Sequence, residues 1–229
     1  MSIILNIDTA SEKAHVSFSE DGKVILALYS DTQKEHASFV QTAIQQLEKS
    51  TGIVLSKIDA VAVTAGPGSY TGLRVGMASA KGICYALQKH LIAINTLEMM
   101  AASAMLSIKN IGKGDLLCPM MDARRMEVFT AIYKQDLQTL IEPCALILDE
   151  SSFKNELDAN KIIFFGNGSL KWQKKCVHKN AVFNDIINEP AALSQLSNTY
   201  FLSSQFANLA YSEPIYLKEF QFINHDKKY

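Results

Sequence analysis

The segment GPGSYTGLRVG at residues 66–76 constrains the fold of this chain more than any other part of its sequence. Residues 58–65 before it form a β-branched apolar run of strand length, and residues 73–87 after it contain helix formers and no proline. Because glycine permits positive φ angles and close backbone approach, the pattern predicts a tight turn between a strand and a helix. This order of elements indicates an α/β fold.

The turn has two interpretations, which the residues alone leave open. If Ser69 or Thr71 caps the helix, several N–H groups and the positive end of the helix dipole point at one place, which is the geometry that binds an anion. The alternative is a structural turn without a ligand. A Walker A loop is excluded because Leu73 and Arg74 stand where lysine and serine or threonine belong, and the glycine spacing of a dinucleotide-binding loop is absent.

Arg74 is unusual for its position in the chain. A cation in the first turn of a helix opposes the helix dipole and is mildly destabilising there. We therefore expect a negative group nearby, and the sequence leaves three candidates open. They are an internal carboxylate, a phosphate, and an acidic surface of another protein.

The composition is that of a globular protein and argues against strong binding to nucleic acid. The chain has 229 residues, 48% hydrophobic and 20% charged, which suits one large domain or two modest ones with a substantial core. Its formal net charge is −1 and no run of Lys and Arg exceeds two residues. A protein that binds nucleic acid by itself normally presents a basic face.

The cysteines and the N-terminal segment indicate a cytoplasmic protein. The cysteines are far apart and form no C-x-x-C pair, which favours small buried side chains in a reducing compartment over a disulfide framework. The chain begins with an apolar strand, without a basic segment or cleavage site, and no apolar run reaches membrane length. The cysteines are Cys84, Cys118, Cys144 and Cys176.

Residues 1–108 are predicted to form a first unit of strands and helices. Three strands open it as an antiparallel meander, and an amphipathic helix that Gly52 closes comes before the glycine loop. The predicted strands are 3–8, 15–19, 24–30, 58–65 and 91–94, and the predicted helices are 36–51, 73–87 and 97–106.

A polar, glycine-containing segment at 108–115 marks the boundary at which a second predicted unit, residues 109–229, begins. Its predicted strands are 116–121, 127–133, 140–148 and 162–165, followed by a helix over 194–210 and an extended tail. Both units begin with an apolar strand that ends in an aspartate, Asp8 or Asp122, and continues into a hairpin partner. This echo predicts duplicated α/β units with mixed sheets, of which the second is the more eroded.

Four segments resemble the bacterial TsaB (YeaZ) family: LNIDTASEKAHVSF at 5–18, GPGSYTGLRVGMASAKG at 66–82, PMMDARRMEVF at 119–129 and EPIYLK at 213–218. The matches run from near the first residue to near the last, and the glycine loop and the DARRMEV segment are the most specific. The resemblance implies an ASKHA (actin/hsp70-like) α/β fold with two lobes, each with a mixed sheet flanked by helices.

The resemblance also implies a role in forming N6-threonylcarbamoyladenosine at position 37 of tRNAs that read ANN codons. A TsaD-type transferase carries out the transfer, TsaB is its non-catalytic, activating partner, and a TsaE-type ATPase joins the assembly. We therefore expect a heterodimer with a TsaD-type protein, indirect contact with tRNA, and ATP and metal on partner proteins. Self-association is a further expectation for the protein alone.

TsaD-related proteins carry a His-x-x-x-His metal pair shortly after the glycine-loop helix and the next strand, and this chain departs from that pattern. Thr96 and Met100 stand where the two imidazoles would be, and neither suits a divalent metal at that spacing. His36 and His90 have no second ligand at helical spacing, so we expect surface or capping roles for them. The sequence contains no H-E-x-x-H motif, which argues against a peptidase.

Asp8 and Asp122 fall at the strand ends where actin-like ATPases hold a magnesium nucleotide. In active members of that superfamily the first strand leads into Asp-x-Gly-Thr, whose glycine lets the hairpin backbone approach phosphate. In this chain TAS follows Asp8 and ARR follows Asp122. We interpret both aspartates as relics of a nucleotide site.

The helix after the glycine loop carries small residues at positions 72, 76, 80 and 84, which let another helix approach closely. The residues leave open whether this row packs on the protein's own sheet and 36–51 helix or on a partner. Since the resemblance implies pairing with TsaD through first-lobe helices, we predict a partner interface there. Its candidate residues are Phe39, Val40, Ala43, Leu47, Gly72, Arg74, Gly76 and Ala80.

Two other functions remain as alternatives to the partner subunit. The first is a stand-alone actin-like ATPase or kinase, which magnesium-dependent ATP hydrolysis that is lost on Asp8→Ala would indicate. The second and less favoured is a metallopeptidase, which a stoichiometric bound metal ion would indicate.

Overall fold

The computed structural model describes residues 1–31 and 36–218, and within α1 the side chain of His36 lies outside the described part. The described chain contains ten strands and six α-helices. The strands are β1 (Ile3–Asp8), β2 (Ala14–Glu20), β3 (Lys23–Ser30), β4 (Ala60–Gly66), β5 (His90–Asn95), β6 (Leu116–Asp122), β7 (Glu127–Tyr133), β8 (Thr139–Ile147), β9 (Ile162–Phe165) and β10 (Ala181–Asn184). The helices are α1 (His36–Thr51), α2 (Tyr70–Leu87), α3 (Thr96–Ser107), α4 (Lys154–Ala159), α5 (Ser169–Gln173) and α6 (Pro190–Leu202).

The strands form two five-stranded sheets with the same order, β3-β2-β1-β4-β5 in the first and β8-β7-β6-β9-β10 in the second. In each sheet three strands form an antiparallel meander, and two more are added in parallel beside the first strand of the meander. Helix α1 leads from the first meander to β4 and α2 connects β4 to β5, and α4 and α5 hold the same places before β9 and β10. The predicted pair of α/β units with mixed sheets is confirmed.

The first lobe packs α1 and α2 against its sheet. The apolar stripe of α1, including Val40 and Leu47, is buried in a core shared with β1, β2 and β4. Gly52 adopts φ +73° and donates its N–H to the Glu48 carbonyl (2.9 Å), which ends α1 as predicted. The first sheet is thereby covered on one face by two long helices.

Helix α6 follows the second sheet in the chain but packs on the first sheet and on α3. A buried polar network holds it there: Ser197 Oγ donates to Asn6 Oδ1 (2.7 Å), and Asn6 Nδ2 donates to Ser19 Oγ (2.8 Å). The helix predicted over 194–210 is wrong at both ends, because Pro190 fits the first helical turn and Ser204 adopts φ +55° beyond the last. The division of the chain at residues 108 and 109 stays a prediction.

The second lobe has short helices and an aromatic core. Trp172 on α5 is buried against Phe153, Phe164 and Phe183, and its ring centroid lies 4.7 Å from that of Phe164. Such aromatic pairs stabilise a core beyond the area that they bury. The sequence did not predict α4, α5 or β10, which have six, five and four residues.

Two of the four cysteines are buried, as the sequence predicts. All four cysteines are free, Cys84 and Cys118 are buried, and Cys144 and Cys176 are half-buried. Burial raises the pKa of the Cys84 thiol to about 11, so it is an unreactive core side chain. Across residues 1–31 and 36–218, none of the helices combines the length and apolarity that crossing a bilayer requires.

Candidate functional site

The glycine loop closes against the protein's own β1–β2 hairpin. Ser69 N–H donates to the Ala10 carbonyl (2.7 Å), and Thr9 Oγ1 donates to the Gly72 carbonyl (2.7 Å). A Cβ at Gly68 would collide with the Ala10 carbonyl, and one at Gly72 would collide with the Thr9 carbonyl. These glycines are therefore required for close backbone approach, and hairpin carbonyls stand against the loop where a phosphate loop would face an anion.

The predicted cap of α2 is Ser69. Its Oγ accepts the N–H of Gly72 (3.2 Å), and its carbonyl accepts the N–H of Leu73 (2.8 Å). Thr71, the other candidate, lies inside the helix and is exposed. The predicted turn and the Ser69 cap are confirmed, and binding of an anion there stays a prediction.

Arg74 is held by aromatic side chains. Its Nε donates to the hydroxyl of Tyr216 (3.1 Å), and its guanidinium lies 4.0 Å from the ring centroid of Tyr70. The hydrogen bond to Tyr216 raises the pKa of the guanidinium above its usual value. In the part of the chain that the structure describes, no carboxylate forms an ion pair with Arg74, so the internal-carboxylate candidate is wrong there.

The C-terminal segment crosses the base of the glycine loop and reaches the second lobe. Ile215 N–H donates to the Ala65 carbonyl (2.7 Å), and a Cβ at Gly66 would lie 2.6 Å from the Ile215 carbonyl. Lys218 forms an ion pair with Glu127 of β7. The segment therefore ties the first-lobe loop to the second lobe.

Asp8 ends β1 as a fully buried side chain. Its Oδ1 accepts the N–H of Ala10 (3.0 Å) and the hydroxyl of Thr64 (2.8 Å). His15 lies directly opposite on β2, and among the residues that the structure describes neither of its ring nitrogens has a hydrogen-bond partner. Burial lowers the pKa of His15, and the charges of Asp8 and Glu189 oppose that shift. His15 was not among the predicted site residues, although its position in the predicted hairpin was an available signal.

Asp122 ends β6 in a more exposed setting. Lys171 Nζ donates to its Oδ1 (2.6 Å), as does the N–H of Arg124 (2.7 Å), and the Lys171 hydrogen bond lowers the pKa of the carboxyl. Residues 124–126 then adopt three consecutive positive φ angles of 69°, 45° and 59°. The two aspartates therefore occupy equivalent strand ends, but only Asp8 faces a buried polar neighbourhood.

The second lobe repeats the glycine loop in shortened form. Gly-x-Gly-Ser begins at the last residue of β4, at 66–69, and directly after β9, at 166–169. Gly168 N–H donates to the Met120 carbonyl (3.0 Å), just as the first loop donates to its own hairpin. This repeat was not predicted from the sequence, because four residues of common types are a weak signal. Both loops are closed on backbone carbonyls of their own lobe.

A cleft of about 730 Å³ lies between the lobes. Asp8, His15 and Tyr29 line it from the first sheet, and Met121 and Asn167 line it from the second lobe. This volume lies within the range of small-molecule sites in proteins. The strand end at Asp8 therefore opens onto a cavity, whereas Asp122 is not among the residues that line it.

Thr96 and Met100 are structural residues of α3. Both side chains are buried, and Met100 belongs to the core between α3 and β6. Among the described residues, no group of three or more His, Cys, Asp or Glu side chains lies close enough to hold a metal ion. His90 is a surface residue, as expected, and stacks on Phe206 with ring centroids 4.0 Å apart. The expectation for the side chain of His36 lies outside the described residues.

Most candidate interface residues lie in the protein's own core. Six of the eight are buried within the first lobe, Phe39 is half-buried, and Arg74 is exposed. The small-residue row of α2 thus packs on its own sheet, which was one of the two open alternatives. A partner contact on these helices stays a prediction, and other residues of the same helices would have to make it. The buried six are Val40, Ala43, Leu47, Gly72, Gly76 and Ala80.

Comparison with known proteins identifies the family. The family model for TsaD, tRNA N6-adenosine threonylcarbamoyltransferase, matches residues 29–212 of the chain. The tRNA threonylcarbamoyladenosine biosynthesis protein TsaB of Escherichia coli (strain K12) is 28% identical over 222 residues, which cover 94% of each chain. The chain belongs to the TsaD family, in its TsaB group.

Solved structures confirm the fold that the TsaB resemblance implied. YeaZ from Pseudomonas aeruginosa has a TM-score of 0.79 at 22% identity, covering 95% of this chain and 100% of that one. An inorganic polyphosphate/ATP-glucomannokinase from Arthrobacter sp. strain KM has a TM-score of 0.50 at 11% identity, covering 88% and 100%. At these identities the likeness shows the fold alone, which is the ASKHA-type α/β fold.

Helix α2 has an exposed face in addition to the face that it buries against the first sheet. Arg74, Ala78 and Gly82 follow one another at four-residue steps along it, and Tyr85 beside them is 81% exposed. Within residues 1–31 and 36–218, a Cβ at Gly82 would have no atom within 4 Å, so the packing of this part of the chain does not require glycine there. A glycine in mid-helix costs about 0.5–1 kcal/mol relative to alanine. This surface therefore carries a destabilising residue that the isolated fold does not explain.

Proposed function

We propose that this chain acts in tRNA threonylcarbamoyladenosine biosynthesis as a non-catalytic, activating subunit that pairs with a TsaD-type transferase. The product would be N6-threonylcarbamoyladenosine at position 37 of tRNAs that read ANN codons. A TsaE-type ATPase joins the assembly, ATP and metal reside on the partner proteins, and tRNA is contacted indirectly. The single observation that carries the proposal is the similarity to a TsaB protein along 94% of both chains.

Two features support the non-catalytic part of the proposal. The glycine loops donate to carbonyls of their own hairpins, through Ser69 and Gly168, so these N–H groups already have acceptors within the chain. Thr96 and Met100 supply neither imidazole nor carboxylate at the position of the metal pair, and both are packed in the core. A buried threonine hydroxyl and a thioether are poor ligands for a divalent catalytic ion.

The exposed face of α2 is the surface we propose for the TsaD-type partner. Ala78 and Gly82 let a partner helix come close, and exposed Tyr85 offers the kind of large amphipathic side chain that dominates binding energy at interfaces. The unexplained glycine at position 82 fits this role, because a close-packed partner backbone would occupy the space that a side chain would otherwise take.

The activating effect would be conformational. A subunit that binds the competent state of the transferase more tightly than its other states shifts the population toward that state without contributing a reacting group. The long helices α1 and α2 give such a subunit a broad and rigid surface, since both are anchored in the first-lobe core. Loss of the contact would then lower the rate of transfer without changing its chemistry.

Reconstitution tests this function. A TsaD-type transferase, its threonylcarbamoyl donor and an ANN-reading tRNA are combined with and without this chain, and modified adenosine is quantified by mass spectrometry. We expect transfer to depend on the chain and the chain alone to hydrolyse ATP at background level. Transfer that is equally fast without the chain would contradict the proposal, as would Asp8-dependent ATP hydrolysis by the chain alone.

A further inference from the structure

The C-terminal strap, residues 208–218, lies along the first lobe before it reaches the second. Its Leu209 packs against the first-lobe core. Lys81 Nζ of α2 donates hydrogen bonds to the carbonyls of Ala210 (3.3 Å) and Ser212 (2.8 Å). The strap is therefore fixed to α2 through its backbone as well as to the core through a side chain.

The strap stays attached to the first lobe up to Tyr216. The N–H of Ile215 donates to the Ala65 carbonyl (2.7 Å), and the missing side chain of Gly66 makes room for the Ile215 carbonyl. The hydroxyl of Tyr216 then accepts a hydrogen bond from Arg74 Nε (3.1 Å). Tyr216 is therefore a first-lobe anchor of the strap.

Lys218 anchors the strap to the second lobe shortly after Tyr216 in the chain. Its ammonium group forms an ion pair with Glu127 of β7, whose side chain is 14% exposed. The chain from Tyr216 to Lys218 spans at most about 7 Å even when it is fully extended. The two lobes therefore cannot move apart at this point while both anchors hold.

The second-lobe anchor lies directly after a strained tip between β6 and β7. Residues 124–126 at this tip carry side chains and adopt positive φ angles. Such conformations are uncommon and persist only where the surrounding contacts hold them. Lys171 Nζ donates to the carbonyl of Glu127, and Lys218 pairs with its carboxylate. One lysine of the second lobe and one of the strap thus hold the residue that ends the strained run.

We propose that the C-terminal strap is a latch, in which the ion pair of Lys218 with Glu127 fixes the angle between the lobes and holds the β6–β7 tip in its left-handed conformation. Release of Lys218 lets the lobes rotate apart and lets residues 124–126 relax. Since a part-exposed ion pair stabilises only modestly, the latch opens and closes reversibly. Hinge motion around a ligand is common in two-lobed proteins. The latch goes beyond the proposed function and needs no partner protein, because both anchors belong to this chain.

The distance between the lobes of the full chain is measured by double electron–electron resonance. One spin label is attached at Gln45→Cys on α1 and the other at Lys174→Cys after α5, and both positions are exposed. The half-buried cysteines are first replaced, as Cys144→Ser and Cys176→Ser, so that the labels react only at the new sites. The latch predicts one main distance population for this labelled chain.

Lys218→Met removes the second-lobe anchor from this labelled chain. We expect the fraction of molecules outside the main population to rise about threefold, as the loss of one part-exposed ion pair allows. Lys218→Arg keeps a cation for Glu127 and should restore the main population. The matched control is Lys161→Met, because the ion pair of Lys161 with Asp115 lies within the second lobe. Its side-chain exposures of 46% and 10% resemble the 43% and 14% of the latch pair, and its loss should leave the distances unchanged.

Trypsin measures the state of the β6–β7 tip in the unlabelled full chain. It cleaves after arginine, and Arg124 and Arg125 are exposed at the tip. Since cleavage follows the fraction of molecules in which a segment is open, Lys218→Met should speed cleavage there about threefold, and Lys161→Met should not. Circular dichroism checks that each variant is folded. Unchanged distances or unchanged tip cleavage in folded Lys218→Met overturns the proposal, and so does an equal change in Lys161→Met.

Discussion

The two lobes share one strand order but differ in the helices that cover their sheets. Helices α1 and α2 have 16 and 18 residues, whereas α4 and α5, at the equivalent connections, have six and five. The first lobe keeps a buried aspartate beside a cavity, and the second carries a partly exposed aspartate paired with lysine. The same strand order is thus combined with a broad helical surface in the first lobe and with only short helices over the sheet in the second.

The difference extends to what stabilises each lobe. The first lobe uses long amphipathic helices, whose apolar stripes bury many aliphatic side chains against the sheet. Helices as short as α4 and α5 are not stable by themselves and depend on tertiary packing. In the second lobe that packing centres on Trp172 and its phenylalanine neighbours. Substitutions in each lobe should therefore have different consequences.

Trp172→Ala tests the dependence of the second lobe on its aromatic core. We expect a loss of about 3–5 kcal/mol in the free energy of unfolding, because a large buried side chain leaves a cavity among three phenylalanines. Leu170→Ala on the same helix, where the side chain is 60% exposed, should cost less than about 0.5 kcal/mol. Urea denaturation measures both. A cost for Trp172→Ala no larger than that of Leu170→Ala would remove the argument for an aromatic core.

Two glycines of α2 test the closed loop of the first lobe. Gly72→Ala forces a Cβ into the Thr9 carbonyl and should destabilise the fold by about 2–3 kcal/mol. Gly82→Ala meets open space and should stabilise the isolated chain by about 0.5–1 kcal/mol. Thermal and urea unfolding of both variants check the pair. If both substitutions have the same sign, hairpin closure against the loop is not the reason for glycine at position 72.

His15 should give the first lobe a pH dependence between pH 8 and 5, a range in which Asp122, whose pKa is lowered, stays ionised. Burial lowers the folded-state pKa of His15, so the unfolded chain takes up the proton first as pH falls below about 6.5. The contribution of His15 to the free energy of unfolding is fully present above that pH. Below it, this contribution falls by about 1.4 kcal/mol per pH unit until the folded-state pKa is reached. Denaturation of the wild type and His15→Gln between pH 8 and 5 isolates this slope. Parallel profiles would mean that His15 titrates alike in both states.

The sequence predicts the first lobe better than the second, for a physical reason. A helix such as α1 shows several turns of apolar periodicity, and its end is marked by Gly52, whereas the five residues of α5 show no period. The strand end at Asp8 could be predicted from its pattern. The unsatisfied state of His15 could not, because it depends on which groups the neighbouring strands and the second lobe bring to the ring.

The interface prediction illustrates the same limit. Small residues at four-residue steps occur on two faces of α2, and periodicity cannot say which face the sheet covers. Gly76 and Ala80 proved to be buried, while Ala78 and Gly82 are exposed. The two faces can be told apart only from the position of the β1–β2 hairpin in the structure. Its Thr9 side chain would collide with a Cβ at Gly76.

Matched substitutions in the two lobes test the central claim that the exposed face of α2 holds a TsaD-type partner. Ala78→Arg on α2 and Ala159→Arg on α4 both place a long cation on an exposed helix position. Co-purification with the transferase and transfer to tRNA are measured for each variant, alongside circular dichroism of the isolated chains. We predict that Ala78→Arg abolishes co-purification and transfer to tRNA while the fold of the chain is unchanged. Ala159→Arg should retain both co-purification and transfer. A folded Ala78→Arg chain that still binds and activates the transferase would contradict the account.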